Sequence, residues 1–495
     1  MKRIFSFTHI CTLALGITCL ASCYKDQGNY TYHAINEISF ANFDTLTGYN
    51  ATFGDTLNIS PTLVMTLDKN PSPTGFTYVW AVLVGIDSTR DSVISTAADL
   101  SVKITLAPGT YTLQYKVTDK STGVQWQTRT SLLVSTQVYE GYFVLNDVNG
   151  QSRLDMLSYK NGAFNQYTDV LKMMGSTLPP QGQPYKIFCS KYGPGSDITY
   201  GIFLLTASGT NLLNPETFGW DSLNNISYLM IGDVPAGFMA QNLTGEYTYG
   251  VYPFLAMYAG GNIYTYTTLS GFAFPDAPVN VYPGNGTTFG VSPYIATNGT
   301  MTIMYDTTAK AFAYMSSYSG SNASPVPVAW NFPTGESLLY MEGNYSNNVN
   351  AILQDPATGN INLLRFVPGS AENYYAQVTG TGIAQAEHYA VSPDMGYLFY
   401  NVGGKLYEYD LFLKTSFLML DLGSSDITYL SFHYFFNRAA NTNYAGWAKL
   451  LTVGSYDGAN GTLTQYSVPT VNGQIVQANQ WTGFGKIVSV SYRER

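Results

Sequence analysis

The sequence predicts an all-β protein with two domains, an N-terminal immunoglobulin-like β-sandwich followed by a β-propeller. The first observation is composition: charged residues make up 11% of the 495, against 41 Tyr, 26 Phe and 47 Gly, which is typical of extracellular all-β proteins. The second is a glycine-centred turn between β-rich runs that recurs along the C-terminal two thirds of the chain. The third is that no long helical period is visible after residue 22, and together these observations favour strands throughout.

The recurring turn is clearest at Asn401–Leu411, where Gly403 and Gly404 can adopt the positive φ angles of a tight hairpin turn. Similar turns are centred on the following glycines: Gly150, Gly209, Gly260, Gly299, Gly359 and Gly461. Their mean spacing, (461 − 150)/6 or about 52 residues, suits four short strands per repeat. The spacing therefore predicts a seven-bladed propeller. Because glycine is abundant and the gaps vary, another blade number and stacked β-sandwiches remain alternatives.

The first 22 residues have the pattern of a lipoprotein signal peptide. Lys2 and Arg3 form a basic start, an apolar run follows, and Leu20–Cys23 (LASC) resembles a bacterial lipobox. We expect cleavage before Cys23, acylation of its thiol and a polar tether over residues 23–30. A membrane-spanning helix is the alternative, but the run is too short and interrupted to favour it. Two or three acyl chains would anchor the mature chain stably to a membrane.

Cysteine usage and charge limit the functions that the mature chain can have. Once the signal is removed and Cys23 is acylated, only Cys189 remains, so no disulfide framework is expected. Cys189 lies in an apparent strand, and we interpret it as a small buried hydrophobe. The mature chain carries 21 basic and 32 acidic residues, a net charge of −11, without any basic cluster. This excludes a nucleic-acid partner.

The residues after the lipobox resemble a known family. Cys23–Tyr30 (CYKDQGNY) and the HAINEI segment from His33 are similar to the start of the PKD-like family lipoproteins of Bacteroidota. The Lys25-Asp26 pair resembles the short signal that exports such lipoproteins to the outer face of the outer membrane. The resemblance implies a surface-exposed lipoprotein that acts beside a SusC/SusD-type importer in the capture of a glycan or peptide.

Residues 31–135 predict the sandwich, of immunoglobulin/PKD-like type. Alternating β-rich runs occur at Thr56–Ile59, Phe76–Val84, Leu100–Ile104, Thr110–Thr118 and Trp126–Val134. Trp80 lies on an apparent central strand, where we expect it to pack in the core. The segment that follows Trp80 in standard PKD domains is replaced by AVL, so no activity tied to that segment is carried over. Residues 138–495 predict the propeller, with Lys486–Tyr492 as the strand that completes its first or last blade.

Catalytic motifs are not evident in the sequence. HExxH, GxSxG, phosphate-binding and calcium-loop patterns are all missing, and we predict no catalytic residue, metal or cofactor. His388 and His433 each adjoin a β-rich run and are interpreted as structural. The alternative function is a propeller enzyme, a hydrolase or lyase, that cleaves a polysaccharide. Two carboxylates, or a histidine with a carboxylate, in one central cleft would favour it.

Four tryptophans of the predicted propeller are the ligand-binding candidates. Trp220, Trp330, Trp447 and Trp481 all fall in polar, loop-like segments. Each ring is either a plug that packs beneath its loop or an exposed platform that stacks on a sugar ring or a peptide side chain. Aromatic platforms without a catalytic cluster would favour a non-catalytic binding protein.

Overall fold

The computed structural model describes most of the chain after the predicted signal and tether. The described residues are 36–67, 73–84, 90–191, 200–248, 252–267, 273–284, 286–297, 301–316, 320–344, 347–371 and 373–495. They divide into two compact units, one built mainly from residues up to 133 and the other mainly from residues 134–495. The domain limits 31–135 and 138–495 stay predictions that limited proteolysis can test.

The N-terminal unit is an immunoglobulin-like arrangement of antiparallel strands. Its strands are β1 (Ile38–Ala41), β2 (Tyr49–Thr52), β3 (Thr56–Ile59), β4 (Thr62–Met65), β5 (Phe76–Val84), β6 (Arg90–Ser95), β7 (Leu100–Lys103), β8 (Gly109–Asp119) and β9 (Gln125–Ser135). A five-stranded sheet has the order β2-β9-β8-β5-β6, and β1 pairs with β4 and β3 with β7. The five strands predicted from the sequence are therefore confirmed, two of them residue for residue.

Trp80 packs in the core of this unit, as predicted. Its side chain is fully buried and stacks on Tyr115 with ring centroids 4.2 Å apart. The indole Nε1 donates a hydrogen bond to the carbonyl oxygen of Ala97 at 3.0 Å. Because its apolar surface is buried and its indole N–H is hydrogen-bonded, this tryptophan holds β5 against the rest of the unit.

The second unit contains seven blade sheets within its described ranges. Written from the channel outwards, the strands are β37 (Lys486–Arg493), β10 (Gly141–Val148), β11 (Gln151–Lys160) and β12 (Ala163–Tyr167) in blade 1; β13 (Pro184–Lys191), β14 (Tyr200–Thr206) and β15 (Gly209–Leu213) in blade 2; β17 (Ala240–Thr248), β18 (Tyr252–Ala259) and β19 (Asn262–Thr267) in blade 3; β21 (Ala296–Thr297), β22 (Met301–Asp306), β23 (Ala311–Ser316) and β24 (Ser324–Pro325) in blade 4; β25 (Ser337–Gly343), β26 (Val349–Gln354), β27 (Ile361–Phe366) and β28 (Asn373–Gln377) in blade 5; β29 (Tyr389–Val391), β30 (Tyr397–Val402), β31 (Lys405–Asp410) and β32 (Thr415–Asp421) in blade 6; and β33 (Asp426–Phe432), β34 (Leu450–Tyr456), β35 (Gly461–Ser467) and β36 (Val476–Phe484) in blade 7. A further parallel pair joins β16 (Met230–Ile231) to β20 (Phe274–Pro275).

The blades close into a ring through seven hydrophobic clusters. Each cluster joins one blade to the next, and the last joins blade 7 back to blade 1. Strand residues alternate between the two faces of a sheet. On β31, for example, Leu406 packs towards blade 7 whereas Tyr409 packs towards blade 5. This alternation produces a seven-bladed propeller, as the spacing of the turns predicts.

The C-terminal strand closes the propeller. β37 pairs antiparallel with β10, Gly141 lying opposite Arg493 and Val144 opposite Val490. The inner strand of blade 1 therefore comes from the C-terminus, and its three outer strands come from the start of the unit. This confirms the predicted closing role of Lys486–Tyr492 and removes a free sheet edge.

Six of the seven predicted turns connect the second and third strands of a blade. The exception is Gly299, which falls between β21 and β22 and lies outside the described residues. In that blade the corresponding turn runs through residues 307–310. Asp306 accepts the backbone N–H groups of Thr308 and Ala309, both at 2.8 Å, and Lys310 adopts the left-handed conformation with φ 49°. An aspartate-capped turn thus replaces the glycine turn.

Helical segments are few and short in the described ranges. Two α-helices, α1 (Val170–Met173) and α2 (Thr442–Trp447), accompany five short 3₁₀ segments at Pro73–Gly75, Ser222–Asn224, Ile226–Leu229, Val328–Trp330 and Ile383–Gln385. None of the helices among the described residues has the length and apolar character to cross a membrane.

Candidate functional site

The candidate site is a polar cavity of about 200 Å³ in the channel of the propeller. Its lining comes from the inner strands of six blades, namely β13, β17, β21, β25, β33 and β37, together with the segment that follows β33. Inner strands converge on the axis of a propeller, so residues far apart in sequence meet here. A smaller recess beside the cavity shares Glu342 and His433 with it and adds Val391 of the remaining inner strand, β29.

Lys186 of β13 brings a positive charge into this lining. Its neighbours Ile187 and Cys189 point into the core between blades 1 and 2, so the alternation of the strand turns Lys186 to the other side. There its Nζ donates to the Oδ1 of Asn242 at 2.6 Å, and the Nδ2 of Asn242 donates to the carbonyl oxygen of Pro293 at 2.7 Å. Burial alone lowers the pKa of Lys186 to about 8.

Glu342 of β25 is the one carboxylate among the described lining residues. Its Oε2 accepts the hydroxyl of Tyr340 at 2.6 Å, and its Oε1 accepts the backbone N–H of Val391 at 3.1 Å. Burial raises the pKa of this carboxyl to about 7, and the two hydrogen bonds oppose the rise. Glu342 is therefore a carboxyl that changes charge near neutral pH and is held in place by its neighbours.

His433 and Tyr429 line the side of the cavity formed by blade 7. The Nε2 of His433 accepts the backbone N–H of Tyr492 at 3.1 Å, and burial lowers the pKa of its imidazole to about 3. His433 is thus neutral at physiological pH, with one nitrogen already occupied. The hydroxyl of Tyr429 lies 2.8 Å from the Oγ of Ser431, and burial raises the pKa of Tyr429 to about 12.

The structure places Trp330 in the plug arrangement. It ends a 3₁₀ segment, is 6% exposed, and packs against Tyr314 and Phe332 with ring centroids 5.7 and 5.5 Å apart. Its carbonyl oxygen accepts the Nδ2 of Asn373 at 2.6 Å. The ring is therefore part of the packing around blades 4 and 5.

The other three candidate tryptophans are half-buried against the interblade clusters. Trp220 donates its Nε1 to the Oδ1 of Asn211 at 3.0 Å. Trp447 and Trp481 both contact Phe164, at 5.2 and 5.5 Å between centroids. Trp447 belongs to α2 and Trp481 to β36, so these two correct the expectation of loop positions. None of the four lines the cavity, and their role as platforms stays a prediction.

The remaining residues singled out in the sequence have structural surroundings. Cys189 is buried, as predicted, and burial raises the pKa of its thiol to about 12. His388 lies just before β29, and burial lowers the pKa of its imidazole. Cys23, the predicted lipidation site, lies outside the described residues. Within the described ranges, no group of three or more His, Cys, Asp or Glu side chains could hold a metal ion.

The sequence did not point to Lys186, Asn242 or Glu342. A signal was present for two of them, because Lys186 is a single charge within the run YKIF and Glu342 ends the apolar run LLYME. A charge placed inside an otherwise apolar strand is costly to bury, so it marks either an ion pair or a wet cavity. Which of the two applies depends on the register of seven inner strands.

Comparisons with known proteins recognise the N-terminal part of the chain. Residues 23–182 match the model of the PKD-like family. The match spans 182 − 23 + 1 = 160 of 495 residues, starts at the predicted lipidation site Cys23, and extends past the N-terminal unit through β10, β11 and β12. A search of the curated proteins found no match.

Several solved structures are similar to the chain at low identity. A quinonprotein alcohol dehydrogenase-like protein from Bacteroides thetaiotaomicron is 14% identical, with a TM-score of 0.42 over 93% of this chain and 100% of its own. Dihydro-heme d1 dehydrogenase NirN is 8% identical, with a TM-score of 0.38 over 72% and 75%. The extracellular domain of a one-component system from B. thetaiotaomicron is 12% identical, with a TM-score of 0.33 over 62% and 40%. At these values the likenesses carry no argument about function.

Proposed function

We propose that this protein is an outer-membrane lipoprotein that faces the cell exterior and captures a glycan or peptide without cleaving it. In this proposal the ligand occupies the channel of the propeller, and a SusC/SusD-type importer takes it up. The observation that carries the proposal is the polar cavity to which six inner strands contribute. Concave sites with a few convergent polar groups are where small ligands bind.

The anchor is supported by two features that coincide at Cys23. The signal-like pattern ends there, and the match to the PKD-like family begins there. Cys23→Ala should leave the protein without acyl chains and move it out of the membrane fraction. Labelling with radioactive palmitate and detergent partitioning test this step, and unchanged labelling of the variant would refute the lipid anchor.

Capture in the channel is tested by filling the cavity. Ser431 lies on β33 within the lining and is half-buried, so Ser431→Trp would insert a large ring into the space. Ser467→Trp on the exposed end of β35 is the matched control. Calorimetric titration with a panel of glycans and peptides should show binding to the parent and the control, and at least tenfold weaker binding to Ser431→Trp. Equal affinities in all three, at equal melting temperature, would place the ligand elsewhere.

A polysaccharide-cleaving enzyme is the second candidate function. Glu342 and His433 line the same cavity and the same recess, which is the combination that favours an enzyme. Both are engaged, however, Glu342 with Tyr340 and Val391 and His433 with Tyr492. Reducing-end assays on the same glycan panel separate the two functions. Turnover by the parent that Glu342→Gln abolishes would establish an enzyme and overturn non-catalytic capture.

Coupling to an importer is proposed from the family resemblance. Affinity purification of the acylated protein from outer membranes should recover an importer of this type. Recovery that is equally strong from a strain lacking the protein would refute the partnership.

A further inference from the structure

We infer that the ligand of the channel is an acidic sugar residue whose carboxylate binds Lys186. The inference rests on the proposed function, since it names the ligand class of the same cavity. Three features carry it: a cation without a counter-charge, the hydroxyl groups of the lining, and the size of the space.

Lys186 is a charged group without a counter-ion among the residues that the structure describes. The four ion pairs there involve Arg153, Lys405, Lys449 and Arg495. The contact that Lys186 makes instead is with the neutral Oδ1 of Asn242. An ammonium has three donors, and a single amide oxygen leaves much of its charge uncompensated. A carboxylate arriving in the cavity would complete this site.

Asn242 makes the site directional. Its Nδ2 is tied to the carbonyl oxygen of Pro293, which turns its Oδ1 towards Lys186. The flexible stem of a lysine normally loses much rotamer freedom when it binds a ligand. Here the ammonium end of the Lys186 side chain is already held by Asn242, so less rotamer freedom is lost when a ligand binds. The amine is thus positioned before the ligand arrives.

The rest of the lining suits a sugar. Thr244, Thr297, Tyr429 and Ser431 are hydroxyl-bearing residues of the lining, the last two in contact with each other at 2.8 Å. Phe432, whose ring also packs against the cluster between blades 6 and 7, adds apolar atoms to the lining. Hydroxyl groups can donate to and accept from the hydroxyls of a sugar, whereas an apolar face can cover its C–H groups. A cavity of about 200 Å³ has room for one monosaccharide unit.

A free amino acid or a peptide terminus fits less well. Its ammonium group would need a carboxylate partner beside the one that binds Lys186. Glu342 is the carboxylate of the described lining, and each of its oxygens already accepts one hydrogen bond, from Tyr340 or Val391, so part of its capacity to bind an ammonium is used. An acidic sugar requires no such second partner.

The experiment is calorimetric titration of the full-length chain in detergent, at pH 7 and moderate salt. The ligands are D-glucuronate and D-galacturonate, the neutral sugars D-glucose and D-galactose, and the dipeptide alanyl-alanine. Lys186→Met removes the charge and keeps most of the stem. Lys405→Met is the matched control, since Lys405 is 50% exposed and pairs with Asp421 on the outer part of blade 6. Melting temperatures show whether each variant is folded.

We expect the parent and Lys405→Met to prefer an acidic sugar over its neutral counterpart by about tenfold to a hundredfold, the effect of one charge-assisted hydrogen bond. Lys186→Met should abolish this preference. Equal affinity for acidic and neutral sugars, or a preference that survives Lys186→Met, would overturn the inference and leave capture in the channel standing. Stronger binding of the dipeptide would overturn the sugar assignment. If no glycan or peptide of the wider panel binds the parent, the proposed function fails as well.

Discussion

Arg493 offers a direct test of how the propeller is closed. It lies near the end of β37 and is 2% exposed. Its guanidinium donates to the carbonyl oxygens of Tyr139 at 2.6 Å, Pro215 at 2.7 Å and Val138 at 2.9 Å. The closing strand is thereby bound to the segment before blade 1 and to the loop after blade 2. Arg493→Met keeps an apolar stem of similar length and removes all three donors.

The expected loss can be worked out from these contacts. Arg495 also donates to the carbonyl oxygens of Tyr139 and Pro215. Of the three carbonyl oxygens, that of Val138 is therefore the one that loses its donor completely. A buried carbonyl left without a donor costs about 1–3 kcal/mol, and weakening the other two bonds adds about 1 kcal/mol. The contact of the guanidinium with the ring of Phe218 contributes about 1 kcal/mol more. Relief of the buried charge offsets part of this sum. The net expectation is a loss of about 2–4 kcal/mol.

Urea unfolding of the parent and the variant, followed by tryptophan fluorescence, measures this loss. Arg365→Met is the control, because Arg365 lies on β27, away from the closure, and is half-buried. We expect the control to remain within about 1 kcal/mol of the parent. If Arg493→Met unfolds at the same urea concentration as the control, the closing strand does not depend on this residue and our account of closure is wrong.

Three further predictions concern buried side chains of the propeller. Trp330→Ala should lower the free energy of unfolding by about 3–5 kcal/mol and leave ligand affinity unchanged. Trp330→Phe should lower it by less than half as much. Loss of affinity at unchanged melting temperature would instead make the ring a platform. Glu408 is 1% exposed, neither of its carboxyl oxygens has a hydrogen-bond partner among the described residues, and burial raises its pKa to about 7. The folded chain therefore keeps a proton that the unfolded chain releases between pH 4.5 and 7, and stability falls as pH rises through this window. The gain in melting temperature from Glu408→Met should consequently be larger at pH 8 than at pH 5, and an equal gain at both would contradict this assignment. Cys189 should react with a thiol reagent at pH 8 only after denaturation, and rapid labelling of the native protein would show that the thiol is accessible.

The sequence predicts the strands and the blade number well because these depend on local patterns. A two-residue turn such as Gly403-Gly404 and the β-rich runs beside it act within a dozen residues. The prediction fails at Gly299 for a local reason too, since Asp306 and Lys310 form the turn of that blade without a glycine. The predicted number of seven blades is unaffected because Gly299 falls within the same repeat.

The channel could not be predicted in the same way. Lys186 and Asn242 are 56 residues apart, and their contact depends on the register of two inner strands in neighbouring blades. Glu342 is bonded to Val391 across a blade boundary for the same reason. Such contacts are set by how the ring closes, so the single charges in the apolar runs around Lys186 and Glu342 do not reveal which residues they meet. The four candidate tryptophans are conspicuous in the sequence, yet none of them lines the cavity.

Diffraction from crystals soaked with D-glucuronate shows whether the channel holds an acidic sugar against Lys186. We expect density for one sugar unit in the cavity, with a carboxylate oxygen about 2.7–2.9 Å from the Nζ of Lys186, and weaker sugar density in Lys186→Met crystals treated identically. Sugar density bound elsewhere on the propeller, or sugar in the channel of the parent with its carboxylate turned away from Lys186, would contradict this binding mode.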